Sequence, residues 1–149
     1  MTTTDVTTFT DKEAFVWLGF RRDTSLDFRL TLPYDKQEAK RVIEAVDCYN
    51  RFQPDEAWGI IDGWWEVMMA VDLAREGSVA LYFRFPWTER QYLSHRETSK
   101  NLPFSWAQTR VPAEKCVDWA TTLTSDLLDA GADEISYDRE TRTLRAWWD

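Results

Sequence analysis

Histidine is nearly absent from this chain, with His95 as its single example. The two cysteines, Cys48 and Cys116, lie 68 positions apart, with no CxxC pair and no Cys/His ligand spacing. These scarcities give no basis for a metal site and leave a Cys–His nucleophile without a sequence signature. A glycine-rich phosphate loop, an HExxH helix and a GxSxG elbow are all missing. No cofactor, metal or catalytic residue is therefore assigned, and the chain reads as a non-enzyme. No apolar run reaches 18 residues, and Met1–Thr10 contains no apolar stretch, so neither a membrane span nor a signal peptide is expected. Basic residues number 18 against 26 acidic ones, for a net charge of −8. Such a balance speaks against direct binding to nucleic acid or to an anionic membrane. With its cysteines read as small reduced core residues, the chain is expected to be cytoplasmic.

At 149 residues the chain has the length of one domain. Residues 1–11 are Thr-rich and polar and read as a flexible arm, leaving 12–149 for the domain. The strongest pattern is an apparent repeat. A strand ends at a proline, an amphipathic helix follows, and an Asp-Glu pair opens the next apolar stretch. Pro33 precedes Asp55-Glu56 by 22 positions, and Pro112 precedes Asp133-Glu134 by 21. The spacing predicts an internally duplicated α+β fold of two ββαββ halves, residues 14–73 and 78–148, related by a pseudo-twofold axis. Antiparallel sheet would carry two helices on one face, with an insertion at 87–103 in the second half only.

The elements follow from periodicity. Ala14–Arg22 and Leu26–Leu32 read as strands, the latter alternating Leu26, Phe28, Leu30 and Leu32 with polar residues. Asp35–Phe52 reads as a helix with Ala39, Val42, Ile43, Val46 and Tyr49 along one stripe. Asp62-Gly63 between apolar runs predicts a hairpin joining Trp58–Ile61 to Trp64–Leu73, although Met68, Met69 and Ala70 favour helix. Ser78–Pro86 and Phe104–Val111 read as strands. Ala113–Ala130 reads as a helix stopped by Gly131, and Glu134–Asp138 with Thr143–Trp148 as a closing hairpin.

This order resembles the duplicated βαββ units of gyrase-inhibitor-like effector-binding domains, whose halves enclose a ligand groove. It is also similar to the α/β fold of type III secretion chaperones, which are small and acidic. The resemblance is one of strand order, and no residue role follows from it.

Three stretches could carry function. Between Lys115 and Arg139 there is no basic residue, while acidic side chains recur. Glu114, Asp118, Asp126, Asp129 and Asp133 form a one-signed surface suited to a basic partner, or simply a solubilising one. Residues 84–115 hold six basic and three acidic residues, a local excess of +3 that leaves −11 elsewhere. There Arg90, Tyr92, His95 and Arg96 could hold a planar anion such as a nucleotide. Finally, the paired Trp64-Trp65 and Trp147-Trp148 would occupy equivalent hairpins. Neighbours on a strand face opposite ways, so one Trp of each pair would line a groove between the halves.

The leading expectation is a small acidic binding protein that inhibits or neutralises a basic protein partner. It is similar in composition to toxin-immunity proteins and phage anti-defence inhibitors. A small-ligand module with the aromatic groove is the alternative, and a secretion-chaperone-like protein the third. A homodimer is left open.

Overall fold

Leu26–Leu32 does yield a strand, β1 (Phe28–Thr31), with Phe28 and Leu30 packed on the core and Arg29 and Thr31 turned away from it. The computed structural model describes Val16 and residues 27–46, 51–92 and 109–149, with the side chains of Arg90 and Tyr92 excepted. After Pro33 the Asp35 side chain accepts the Glu38 N–H at 3.0 Å and caps helix α1 (Lys36–Glu44). Such a cap is worth about 1 kcal/mol. Ala39, Val42 and Ile43 form its buried stripe.

Where a hairpin was expected across Asp62-Gly63, the chain is helical. Helix α2 (Pro54–Trp64) begins with Pro54 in the first turn and continues as a 3₁₀ turn, Trp65–Val67. Only Ala70–Glu76 forms a strand, β2. The preference of Asp-Gly for a type I′ turn is local, whereas Ala57, Trp58, Ile61 and Trp65 bury one continuous stripe when the segment is helical. Burying side chains of this size contributes about 1.5–3 kcal/mol each, which outweighs a turn preference. Trp58 and Trp65 meet within that stripe, their rings 5.9 Å apart.

Strand β3 (Ser78–Arg84) returns against β2 through Gly77 alone, and Glu76 pairs with Ser78. Gly77 has φ of +75°, the left-handed region that a turn this tight requires. After a one-turn helix, Glu89–Tyr92, and a bridge between Thr88 and Arg110, helix α3 (Ala113–Asp129) buries Cys116, Ala120, Leu123 and Leu127. Gly131, at φ +93°, ends it. Strands β4 (Glu134–Asp138) and β5 (Thr143–Trp147) close as the expected hairpin.

The fold is α+β, a five-stranded antiparallel sheet in the order β1-β2-β3-β5-β4. One face, carrying Val71, Leu73, Leu81, Phe83, Leu144 and Ala146, merges with the buried residues of α1, α2 and α3 into a single core. The internal duplication is not confirmed. The second half has its closing hairpin, but the first has α2 in that place, and three helices rather than two contribute to the core among the described residues. The expected first helix, Asp35–Phe52, is observed as Lys36–Glu44: Ala45 and Val46 already form a turn, Arg51 and Phe52 are not helical, and 47–50 lie outside the described residues. The arm at 1–11, Cys48, and the 93–108 part of the insertion and its following strand also lie outside them, as does the expected strand Ala14–Arg22 save Val16, which is buried and helical rather than extended.

Phe83 is fully buried at the centre of the sheet. Replacing it by Ala is expected to cost about 3–5 kcal/mol in urea unfolding. Gly77→Ala is expected to cost about 1–2 kcal/mol, because the left-handed backbone is strained for any residue with a Cβ.

Candidate functional site

The strand alternation that builds the core also builds the opposite face of the sheet. There Arg29 and Thr31 of β1, Asp72 of β2, Tyr82 and Arg84 of β3, and Thr143 and Arg145 of β5 fall into cross-strand register. Asp72 is their hub and is only 4% exposed. Its Oδ2 accepts from Arg29 Nε at 2.8 Å, and its Oδ1 accepts from Thr31 Oγ1 and Arg84 Nη2, each at 2.9 Å. Two guanidinium groups thus share one buried carboxylate, which leaves one unit of positive charge on the cluster. The Arg29 guanidinium also lies over the Tyr82 ring, 3.7 Å from its centroid. Beside it Glu76 accepts from Arg145 Nε at 2.8 Å and from the Tyr82 hydroxyl, a pair that is internally neutral.

This floor opens into a cleft of about 730 Å³, walled by Met69 and Trp87 on one side and by the β4–β5 turn on the other. Trp87 is fixed from behind by Arg142, whose guanidinium lies 4.1 Å from the ring centroid. Arg142 Nη1 donates to Pro86 O at 3.0 Å and Val111 O at 2.9 Å.

A second cleft, about 570 Å³, lies between α2 and α3. Glu56, Gly59, Ile60, Gly63 and Trp64 supply one wall and Asp126, Asp129 and Ala130 the other. Trp64 Nε1 donates to Asp126 Oδ2 at 3.0 Å and ties the two helices together. A Cβ added at Gly59 or Gly63 would meet nothing within 4 Å, so bare helix backbone faces open space there.

The residues expected to carry function are distributed unevenly between these places. Glu114, Asp118 and Asp129 are exposed along α3, and Asp126 turns partly inward to Trp64. Asp133 lies beyond the helix, 3.5 Å from Arg51 Nη1 and accepting the Asp149 N–H. The four paired tryptophans do not meet in one groove. Trp64 is in the helical cleft, and Trp65 is buried against Trp58. Trp147 is half-buried and donates to Glu76 O from the open sheet face. Trp148 is buried on the opposite face with Phe52 edge-on at 5.1 Å. The expected division of adjacent Trp side chains between faces is therefore met by Trp147 and Trp148, while Trp64 and Trp65 are not on a strand. Arg90 and Tyr92 lie on the one-turn helix, with side chains outside the described residues, as are His95 and Arg96 entirely.

No protein-family model, curated protein or solved structure matches the chain. Among the described residues no group of acidic, His or Cys side chains could hold a metal ion, and no helix is long and apolar enough to cross a membrane.

Burial raises the Cys116 thiol above its ordinary value near 9, against the opposing pull of the adjacent Arg142 charge. Burial, and then the bond to Glu76, raise the Tyr82 phenol above 10; burial, and then the nearby Cys116, raise Tyr137. Each group holds its proton more tightly in the folded state. Their stabilisation is whole below about pH 9 and is lost as pH rises through and beyond 9–10. The melting temperature is expected to fall between pH 8 and 11, and Tyr82→Phe, though less stable at pH 8, should fall less steeply. Asp72→Asn should cost about 1–3 kcal/mol in urea unfolding, since two guanidiniums lose their shared charged acceptor.

Proposed function

We propose that the protein is a non-enzymatic binding protein that docks, and thereby neutralises, a basic protein partner on the face formed by α2 and α3. The observation that carries this reading is the cleft between those helices. Three carboxylates, Glu56, Asp126 and Asp129, line it, and among the described residues no cationic side chain does. Asp55, Glu114 and Asp118 extend the same charge along the exposed surfaces of the two helices. A one-signed surface repels itself, and a cationic partner relieves that repulsion while gaining an accelerated encounter.

Two further features favour a contact over mere solubility. Trp64 and Ile60 are only partly buried and give the acidic rim an apolar centre, the arrangement of an interface anchor. Trp64 can also receive a cation over its ring. Glycine at 59 and 63 costs the helix up to about 1 kcal/mol each relative to alanine, and what it leaves is room for an incoming side chain.

The test uses a fluorescent Arg/Lys-rich peptide with a central aromatic residue and its Glu-substituted counterpart. Only the basic peptide should bind, quenching Trp64 fluorescence, with an on-rate that drops as salt shortens the screening length towards about 8 Å. Glu56→Lys with Asp129→Lys should weaken binding about tenfold or more while leaving the melting temperature close to that of the parent. Gly59→Ala should raise stability by up to about 1 kcal/mol, and Gly59→Leu should block the cleft. Equal binding of the basic peptide to the charge-reversed protein would remove this face from the interface.

A further inference from the structure

The open face of the sheet carries a site of different chemistry, independent of the helical face. We propose that the cleft above Asp72 binds a small planar molecule with one anionic group, phosphate or carboxylate, at one end and an amine or similar donor at the other.

The anionic end is set by the floor. Arg29 and Arg84 share Asp72, so the cluster has one positive charge more than its carboxylate neutralises. Arg84 Nε is buried and has no acceptor among the described residues. The side chains of Arg29 and Arg84 are 45% and 31% exposed and both line the cleft, so they are held in place yet open to it. Arginine anchored on one side by a carboxylate presents its remaining donors in a fixed fork, the geometry that suits a carboxylate or phosphate. The neighbouring Arg145–Glu76 pair is neutral and adds hydrogen-bonding capacity without altering the balance.

The planar middle is set by aromatic walls. Tyr82 and Trp87 line the cleft, and each ring already has a guanidinium against it, from Arg29 and Arg142 respectively. Those contacts fix the ring planes before a ligand arrives, which reduces the ordering cost of binding. A volume of about 730 Å³ lies within the usual span for small-molecule sites.

The donor-bearing end is set by the far wall. Arg84, Thr143 and Asp138 are cross-strand neighbours on β3, β5 and β4. Two strand spacings put the Asp138 backbone about 9–10 Å from that of Arg84. Asp138 Oδ1 is engaged by the amides of Glu140 and Thr141, while Glu140 is exposed at the mouth. These carboxylates would repel an anion at this end and accept from an amine. A nucleoside monophosphate with an amino base and an aromatic aminocarboxylate both have the required polarity.

The experiment is calorimetric titration of the full chain with adenosine monophosphate and with 4-aminobenzoate, which separate the phosphate from the carboxylate source. Adenosine and benzoate serve as controls that lack the anion and the amine. At least one of the two acids should bind with a Kd below about 1 mM, about tenfold or more tighter than its control. Arg84→Gln should weaken it about tenfold, since Arg29 and Thr31 still hold Asp72. Ser136→Trp tests the cleft without touching the ion cluster, because Ser136 is exposed on the edge strand and lines the cavity. That variant should keep its melting temperature and lose binding. No binding by either acid up to about 10 mM, binding of the controls equal to that of the acids, or undiminished binding in Ser136→Trp would each overturn the proposal.

Discussion

Arg142 places its guanidinium where only 5% of the residue meets solvent, and two main-chain carbonyls, Pro86 O and Val111 O, receive it. Among the described residues no carboxylate pairs with it. Burying a charge this way costs several kcal/mol unless its donors are matched, and here the carbonyls, the Trp87 ring and the Cys116 sulfur at 3.6 Å supply the match. Those partners come from the exit of β3, the segment entering α3, and α3 itself, while Arg142 ends the β4–β5 turn just before β5. One side chain therefore fixes how the helix, the central strand and the closing hairpin meet. It also explains a non-glycine residue at φ +53°, since the locked side chain holds its backbone in a strained region. Trp87, on which the wall of the sheet-face cleft depends, is oriented by the same contact.

The two clefts differ in how their charges are balanced. On the sheet face every arginine that lines the cleft has a carboxylate nearby, and only a small excess remains. The backbone register sets this network, because Asp72 must stand between β1 and β3 for Arg29 and Arg84 to share it. In the cleft between α2 and α3 the described lining brings three carboxylates together with Trp64 and no cation, while Lys36, paired with Asp62, and Lys115 stand outside that lining. The overall charge of −8 is thus not evenly spread, and it is most one-sided where the surface is also grooved.

Much of the architecture was legible in short-range patterns. The alternation of β1, the Ala39, Val42 and Ile43 part of the α1 stripe, Gly131 after α3 and the β4–β5 hairpin all depend on neighbours a few positions apart and lie where periodicity places them, although α1 ends at Glu44 rather than Phe52. Asp62-Gly63 misled because its turn preference is local while the burial of Trp58 and Trp65 is tertiary. The acidic residues of α3 were readable as a surface, but their facing wall, Glu56, Gly59 and Trp64, required knowing that residues 54–64 are helical. Asp72 and its arginines were not legible as a cluster at all. Arg29 and Arg84 stand 43 and 12 positions from Asp72, and no spacing rule says which strands will be neighbours. The one available signal was that the polar members of each alternating strand included Arg29, Tyr82, Arg84 and Arg145.

The sheet order has a kinetic side. Of its four strand pairings, β2 with β3 and β4 with β5 are hairpins that can close locally within microseconds. The pairing that joins them, β3 with β5, brings Phe83 opposite Leu144 across 61 positions of chain, and β1 reaches β2 across more than 40. The loop-closure entropy of these two pairings must be overcome before the buried faces reward it. Loop closure therefore makes the docking of the β2–β3 ribbon on the β4–β5 ribbon a costly step, and Leu81, Phe83, Leu144 and Ala146 form the seam across which the two meet.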